Sequence, residues 1–202
     1  AIYASEEYLD IMLSEVSQKT VKDLYEKRLA RLIVSMLYGL GVRRAELVSL
    51  NIYSVDFGRK VVKVRGKGDK TREIPILDAL CEEILLYLKA VEALVEGERS
   101  LKEPLLVTYT GRRLYPVYVD RVVKSELSAQ DGHTGRKSAH VLRHTLATEL
   151  MNEGADLNSI KELLGHSNLA ATQVYTHNSV ARLKNIYERA HPRAKNGGKH
   201  GD

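Results

Sequence analysis

The chain has 202 residues, which suits one domain with short appendages and leaves little room for two. Hydrophobic residues make up 44% and charged residues 28%, a composition that excludes collagen-like, mucin-like and wholly disordered chains. The net charge of +5 favours a polyanionic partner, and the single cysteine, Cys81, cannot form an intrachain disulfide. Without a signal peptide or an apolar run of roughly 18 residues, the sequence predicts a soluble, cytoplasmic protein with no membrane partner.

The predicted elements run from helices through a short β region and back to helices. A short helix is expected after Ser5, then an amphipathic helix from residue 20 to the glycines at 39 and 41, and a short helix at 44–50. Residues 51–77 alternate β-branched with charged residues, which predicts a three-stranded antiparallel meander. The fold class is therefore mainly α, an α+β domain with one small sheet. Further helices are predicted at 77–95, 116–127, 140–152, 157–164, 169–175 and 180–190, with a short strand or extended segment at 104–107, a polar linker at 128–138 and a disordered tail at 191–202.

The predicted hairpin is strongly basic. Residues 59–73 contain seven lysines and arginines against two acids, a local excess equal to that of the whole chain. Such a hairpin could lie against a phosphate backbone, where each neutralised phosphate releases counterions. The alternative is a solvated hairpin whose lysines protect a sheet edge.

The C-terminal third concentrates histidines, five of the seven within 45 residues. His140 and His144 have the spacing of helical zinc ligands, but Arg143 between them would repel a metal ion, and no glutamate is present to act as a base. His140 and Arg143 share a helix face, and His166 follows a glycine at a predicted helix start, so these residues are typical of an anion site. A purely structural pair of histidines is the alternative. Tyr175 could attack phosphorus only with cationic neighbours and a base, since its ordinary pKa is about 10.

Four short motifs follow one another along the chain: GVRRAEL at 41–47, RGKGDKTREIP at 65–75, HVLRHTLAT at 140–148, and LLGHS at 163–167 followed by YTH at 175–177. In this order they resemble the G-L-R-x-S-E-L, β-hairpin, H-x-L-R-H and L-G-H…Y-x-H boxes of the tyrosine recombinase, or phage integrase, family of site-specific DNA recombinases. The ending of the chain is most similar to the Xer-type branch. The resemblance covers about residues 20–194, taken as the catalytic domain at 20–190 behind an N-terminal segment at 1–19. It implies six catalytic residues, Arg43, Lys67, His140, Arg143, His166 and Tyr175.

The resemblance implies cleavage and rejoining of DNA strands through a 3′-phosphotyrosine, with no metal, ATP or other cofactor. Glu46 is expected to orient Arg43; the alternative is an ordinary exposed helix acid. The implied partners are double-stranded DNA target sites and a homo- or hetero-tetramer of recombinase protomers, with no small-molecule substrate. The side chains expected to bind DNA are Lys63, Arg65, Lys70, Arg72, Arg136 and Lys137.

Three rival functions stay open at this point. A DNA-binding module would grip DNA without cutting it, a type IB topoisomerase would share the chemistry without site choice, and a metal-dependent nuclease would need clustered carboxylates. Family members usually carry a helical core-binding domain ahead of the catalytic domain. Because only some twenty residues precede the first helix of the resemblance, we expect a catalytic-domain fragment or an unusually short member.

Overall fold

A long central helix, α1 (Gln18–Leu40), organises the fold. The computed structural model describes residues 18–95, 98–128, 138–152 and 154–165. These residues form a mainly helical α+β fold with one small sheet, as predicted. The other elements are α2 (Arg44–Ser49), β1 (Val55–Asp56), β2 (Val61–Arg65), β3 (Thr71–Pro75), α3 (Asp78–Leu94), α4 (Pro116–Ser128), α5 (Ala139–Asn152) and α6 (Leu157–Leu164).

Helix α1 supplies the centre of the hydrophobic core. Its residues Tyr25, Leu29, Ile33 and Met36 recur at spacings of three and four, and each is fully buried. This stripe lets α1 pack against α3, α4 and α5 together. The predicted amphipathic helix is thus confirmed, and its burial on several sides explains why neighbouring helices can converge at its C-terminal end.

The sheet is the predicted antiparallel meander with strand order β1-β2-β3. The register pairs Val62 with Ile74 and Val64 with Arg72, so these residues share the face that points to the core. The hairpin between β2 and β3 is closed by a hydrogen bond of 2.8 Å from the Gly66 N–H to the Lys70 carbonyl. Lys63 and Arg65 alternate with Val62 and Val64 and are exposed. One face of the sheet therefore packs on the core, and the other presents basic side chains of the hairpin.

The extended segment predicted at 104–107 is present, but it forms isolated bridges rather than a strand of the sheet. Two buried tyrosines fix it: the Tyr25 hydroxyl donates to the Val107 carbonyl at 2.8 Å, and the Tyr87 hydroxyl accepts the Val107 N–H at 2.9 Å. This links α1 and α3 to the segment that leads into α4.

Several predictions concern residues outside the described part of the chain: the first short helix, the linker, the helices at 169–175 and 180–190, and the tail. Within the described ranges, no helix is both long and apolar enough to cross a membrane.

Candidate active site

The site is built around the carboxylate of Glu46, which is only 5% exposed. Oε1 accepts hydrogen bonds from Arg43 Nη1 at 2.9 Å and from Arg72 Nη1 at 3.0 Å. Oε2 accepts from the Arg43 backbone N–H at 2.8 Å and from Arg72 Nη2 at 2.8 Å. A carboxylate has about four acceptor sites, so all of them are filled. Glu46 is therefore not an exposed helix acid, and it holds Arg43 as expected.

The local sequence explains how Glu46 and Arg43 come together. Arg43 is the N-cap of α2 and Glu46 is its third residue, and the glutamate returns to the N-cap N–H as in one half of a capping box. Burial alone would raise the pKa of Glu46, but the hydrogen bonds from Arg72 and from the Arg43 backbone outweigh burial, so the pKa lies below its ordinary value. The carboxylate is thus held in its ionised form.

The C-terminal end of α6 accepts one hydrogen bond from each of three arginines. Arg72 Nε donates to the Leu163 carbonyl at 2.9 Å, and Arg143 Nη2 donates to the Leu164 carbonyl at 2.5 Å. Arg43 Nη2 makes a longer contact of 3.4 Å with the Gly165 carbonyl. The last carbonyls of a helix have no partner within it and lie at the negative end of its dipole, so they are suited to cations.

Arg143 is the second buried cation of the site, 6% exposed, and it comes from α5. Its Nη1 donates to the Gly41 carbonyl at 2.7 Å, so two of its five N–H donors are bound to protein carbonyls. Burial, together with the charges of Arg43 and Arg72, lowers the pKa of Arg143 to about 10. It is still protonated at neutral pH. Three guanidinium groups thus face one carboxylate, and the excess positive charge makes the site attractive to an anion.

Two glycines allow this close assembly. Gly165 has φ +66°, and a Cβ there would lie 2.9 Å from Arg72 Nη1. Gly41 has φ +59°, and a Cβ there would lie 2.6 Å from Leu164 Cδ2. Both positions combine a left-handed backbone with a contact too close for a methyl group. The glycines of the first and fourth motifs therefore let the ends of α1 and α6 meet beside the arginines.

The remaining predicted catalytic residues are placed unevenly. His140 is exposed on α5, one turn before Arg143, and Lys67 begins the short 3-10 turn Lys67–Asp69 at the hairpin tip. The Lys67 side chain, His166 and Tyr175 lie outside the described part of the structure. His166 follows Gly165, the last described residue of the cluster, directly in the sequence.

The residues predicted to bind DNA divide into an exposed set and one buried side chain. Lys63 and Arg65 are 51% and 73% exposed, where they form ion pairs with Glu73 and Asp69, and Lys70 is exposed as well. Arg136 and Lys137 lie outside the described residues.

Arg72 departs from the prediction, because β3 turns its side chain inward, 7% exposed, to Glu46 and Leu163. It is a structural member of the arginine cluster rather than part of the exposed basic face. The sequence held a signal for this position. In TREIP, Arg72 lies two residues before Ile74 and so shares the core-facing side of the strand.

The two histidines with zinc-like spacing, His140 and His144, are both exposed on α5. Among the residues with described positions, no group of three or more histidine, cysteine, aspartate or glutamate side chains could hold a metal ion. The described chemistry of the site is that of arginines around one carboxylate.

The chain is similar to known proteins both in sequence and in fold. The sequence matches the Phage integrase family over residues 10–182. It is similar to the tyrosine recombinase XerC of Chlorobaculum tepidum, with 39% identity over 184 residues that cover 89% of this chain and 54% of the relative. The fold is similar to the crystal structure of XerA recombinase, with a TM-score of 0.61, 26% identity, and coverage of 90% of this chain and 60% of that chain.

A second structural neighbour is the XerH site-specific recombinase bound to palindromic difH substrate in a post-cleavage complex. It has a TM-score of 0.61 and 22% identity, and the match covers 96% of this chain and 51% of that chain, so the likeness concerns the fold. The chain spans about half the length of the curated relatives it matches. Because the family match extends over most of the chain, the chain belongs to the phage integrase family.

Proposed function

We propose that the chain carries the catalytic function of a site-specific DNA recombinase, which cleaves and rejoins DNA strands through a 3′-phosphotyrosine without metal or ATP. The observation that carries the proposal is the convergence of Arg43, Arg143 and Arg72 on Glu46 and the end of α6. The similarity to XerC supports the same conclusion.

The arginine cluster suits a phosphodiester that passes through a more highly charged transition state. A guanidinium is a planar fork that binds two oxygens and stays protonated. Arg43 is 43% exposed and keeps N–H donors beyond those bound to Glu46 and Gly165, and Arg143 keeps three beyond its two carbonyl contacts. These donors would neutralise the charge that develops on the nonbridging oxygens. Since Glu46 and the α6 carbonyls already fix the two arginines, little reorganisation is needed during reaction.

The proposed reaction is a transesterification. The Tyr175 hydroxyl oxygen attacks the scissile phosphorus and forms the O–P bond of a 3′-phosphotyrosine, while the bond from phosphorus to the 5′-oxygen breaks. His140 accepts or relays the phenolic proton, and His166 donates a hydrogen bond to a nonbridging oxygen. Lys67 donates a proton to the leaving 5′-oxygen. Attack by the 5′-hydroxyl of a second strand reverses these steps and releases the tyrosine, so no ATP is consumed.

The proposed partner is double-stranded DNA at a specific target site. The exposed hairpin side chains Lys63, Arg65 and Lys70 would bind phosphates, joined by Arg136 and Lys137 from the polar linker. Asp69 and Glu73 pair with hairpin cations in the free protein, and phosphates would replace them. The XerH neighbour was solved with its DNA substrate, which supports DNA as the ligand of this fold. A homo- or hetero-tetramer on DNA and a cytoplasmic location belong to the same proposal.

Covalent trapping tests the function directly. Wild type, Tyr175→Phe and the control Tyr53→Phe, which alters an exposed tyrosine, are incubated in EDTA with a pool of nicked duplexes. We expect SDS-resistant protein-DNA adducts from wild type and from the control, none from Tyr175→Phe, and one enriched sequence in the trapped DNA.

Three results would contradict the proposal. Adducts without sequence preference would indicate a topoisomerase-like enzyme, and cleavage that EDTA abolishes would indicate a metal-dependent nuclease. Binding of DNA by wild type without any adduct would indicate a DNA-binding module.

A further inference from the structure

Arg72 is a buried cation that the proposed chemistry does not use. It belongs to the basic hairpin by sequence, yet its side chain is 7% exposed and lies against α2 and α6. A buried charge is retained in a fold only where partners compensate for the lost hydration. An apolar residue would fill the same inward strand position, as Ile74 does on the same face. The presence of arginine here therefore calls for an explanation beyond packing.

The geometry joins Arg72 to two parts of the site at once. Its two terminal nitrogens form a bidentate pair with both oxygens of Glu46 at 3.0 and 2.8 Å. Its Nε donates to the Leu163 carbonyl at 2.9 Å, near the end of α6. The guanidinium also lies against Gly165, where a Cβ would be 3.1 Å from Cζ. One rigid group thus sets the position of the carboxylate relative to the helix end.

We propose that Arg72 is a positioning residue for DNA cleavage: it fixes Glu46 so that Glu46 fixes Arg43, and it holds the end of α6 from which the chain continues to His166. This inference rests on the proposed function. Arg72 acts through other residues and does not touch the DNA.

The charge balance of the cluster supports the same assignment. Glu46 is shared between Arg43 and Arg72, so its negative charge is not available to cancel Arg43 alone. Without Arg72, the carboxylate would pair with Arg43 one to one, and the attraction of that guanidinium for a phosphate would fall. Arg72 therefore contributes both the orientation of Arg43 and the surplus of positive charge around it.

The test measures single-turnover cleavage of a nicked duplex of the trapped sequence at saturating protein, together with DNA affinity and thermal unfolding. The variants are Arg72→Gln, Arg72→Lys, Glu46→Gln and the double variant Glu46→Gln/Arg72→Gln. The control is Arg121→Gln, which alters an arginine on α4 that donates to the Tyr115 hydroxyl. We expect Arg72→Gln to slow cleavage by about 10- to 100-fold with little change in DNA affinity, because a small misplacement of a reacting group has an effect of this size. Arg121→Gln should cleave as wild type does.

Three readouts separate positioning from a structural role. Arg72→Lys keeps the charge without the three-point fork, so we expect it to restore thermal stability more than cleavage. As the pH is lowered, Arg72→Gln should lose cleavage activity at a higher pH than wild type does. The reason is that Glu46 loses the hydrogen bonds from Arg72 that lower its pKa. The charged groups around that carboxylate are Arg43 at the N-cap of α2, Arg72 on β3 and Arg143 on α5. The double variant should lose less than the two single losses combined, because both changes act through Arg43.

Full recovery of cleavage by Arg72→Lys would overturn the inference, since charge alone would then suffice. Independent losses in the double variant, or an Arg72→Gln rate equal to wild type, would overturn it as well. These results all require a wild-type adduct. Failure of wild type to form an adduct would instead refute the proposed function, and this inference would fall with it.

Discussion

The carboxylate of Glu46 on α2 should contribute more to the stability of the folded state than either acid of the basic hairpin, Asp69 or Glu73. Glu46→Gln keeps the size of the side chain but removes the charge and replaces two of its acceptor sites with N–H donors that oppose the arginines. Breaking a buried ion pair by removing one partner costs about 3–5 kcal/mol, because the other charge stays buried. Arg43 is 43% exposed and can regain water, whereas Arg72 is 7% exposed and keeps its bond to Leu163 and at most the one remaining oxygen at position 46. The loss should therefore lie near the lower end, about 3 kcal/mol.

For a chain of this size, about 3 kcal/mol corresponds to a decrease in Tm of about 6–12 °C. Urea and thermal unfolding followed by far-UV circular dichroism measure this change. The matched control is Glu73→Gln, which breaks another bidentate arginine pair, with Arg59, on the solvent side of the sheet. Exposed pairs contribute little, so the control should melt close to wild type. If Glu46→Gln destabilised the protein no more than Glu73→Gln, the interpretation of Glu46 as the central counter-charge would be wrong.

Three further predictions concern stability. Because the pKa of Glu46 lies below its usual 4.5, its contribution to the free energy of unfolding is complete above pH 4.5 and is lost as the pH falls through the folded-state pKa. In urea melts at decreasing pH, wild type should therefore lose stability more steeply than Glu46→Gln. Gly165→Ala should lower the free energy of unfolding by about 1–2 kcal/mol because of the left-handed backbone, and the contact with Arg72 should add to that loss. Gly154→Ala, with φ +89° and open space around it, should show the backbone effect alone, and equal losses would contradict the contact. Tyr87→Phe should cost about 1–3 kcal/mol in urea melts, because a buried backbone N–H loses its acceptor; an unchanged midpoint would refute this.

Much of the fold could be predicted because local signals and packing agree. The apolar residues that recur along α1 from Val21 to Leu37 are the same residues that the core buries. The strands alternate as the sheet requires, and glycines mark the ends of α1 and α6. The segment at 104–107 was harder to predict, because its bridge to Asn51 and its tyrosine partners come from residues that are distant in the sequence.

Part of the site's membership could be predicted from the sequence, but the contacts between its residues could not. The motifs placed Arg43, Glu46 and Arg143 in one site, and the structure brings these residues together. The partnership of Glu46 with Arg72 depends on the approach of β3 to α2, which no local pattern encodes. The count of basic residues misled the interpretation of Arg72, since charge alone does not tell which face of a strand a side chain occupies. The alternation with Ile74 was the better signal.

The meeting of three arginines at the end of α6 ties the site to the cooperativity of folding. The contacts of Arg43, Arg72 and Arg143 with that helix end span 122, 91 and 21 residues of sequence, so the longest of them close only when distant parts of the chain have docked. Helix α6 has only 8 residues, and a short helix depends on tertiary packing for its persistence. Local opening of its last turn would break one hydrogen bond of each of the three guanidinium groups in one event. Amide hydrogen exchange at this single turn would therefore report the fraction of molecules in which the arginines are docked on the end of α6.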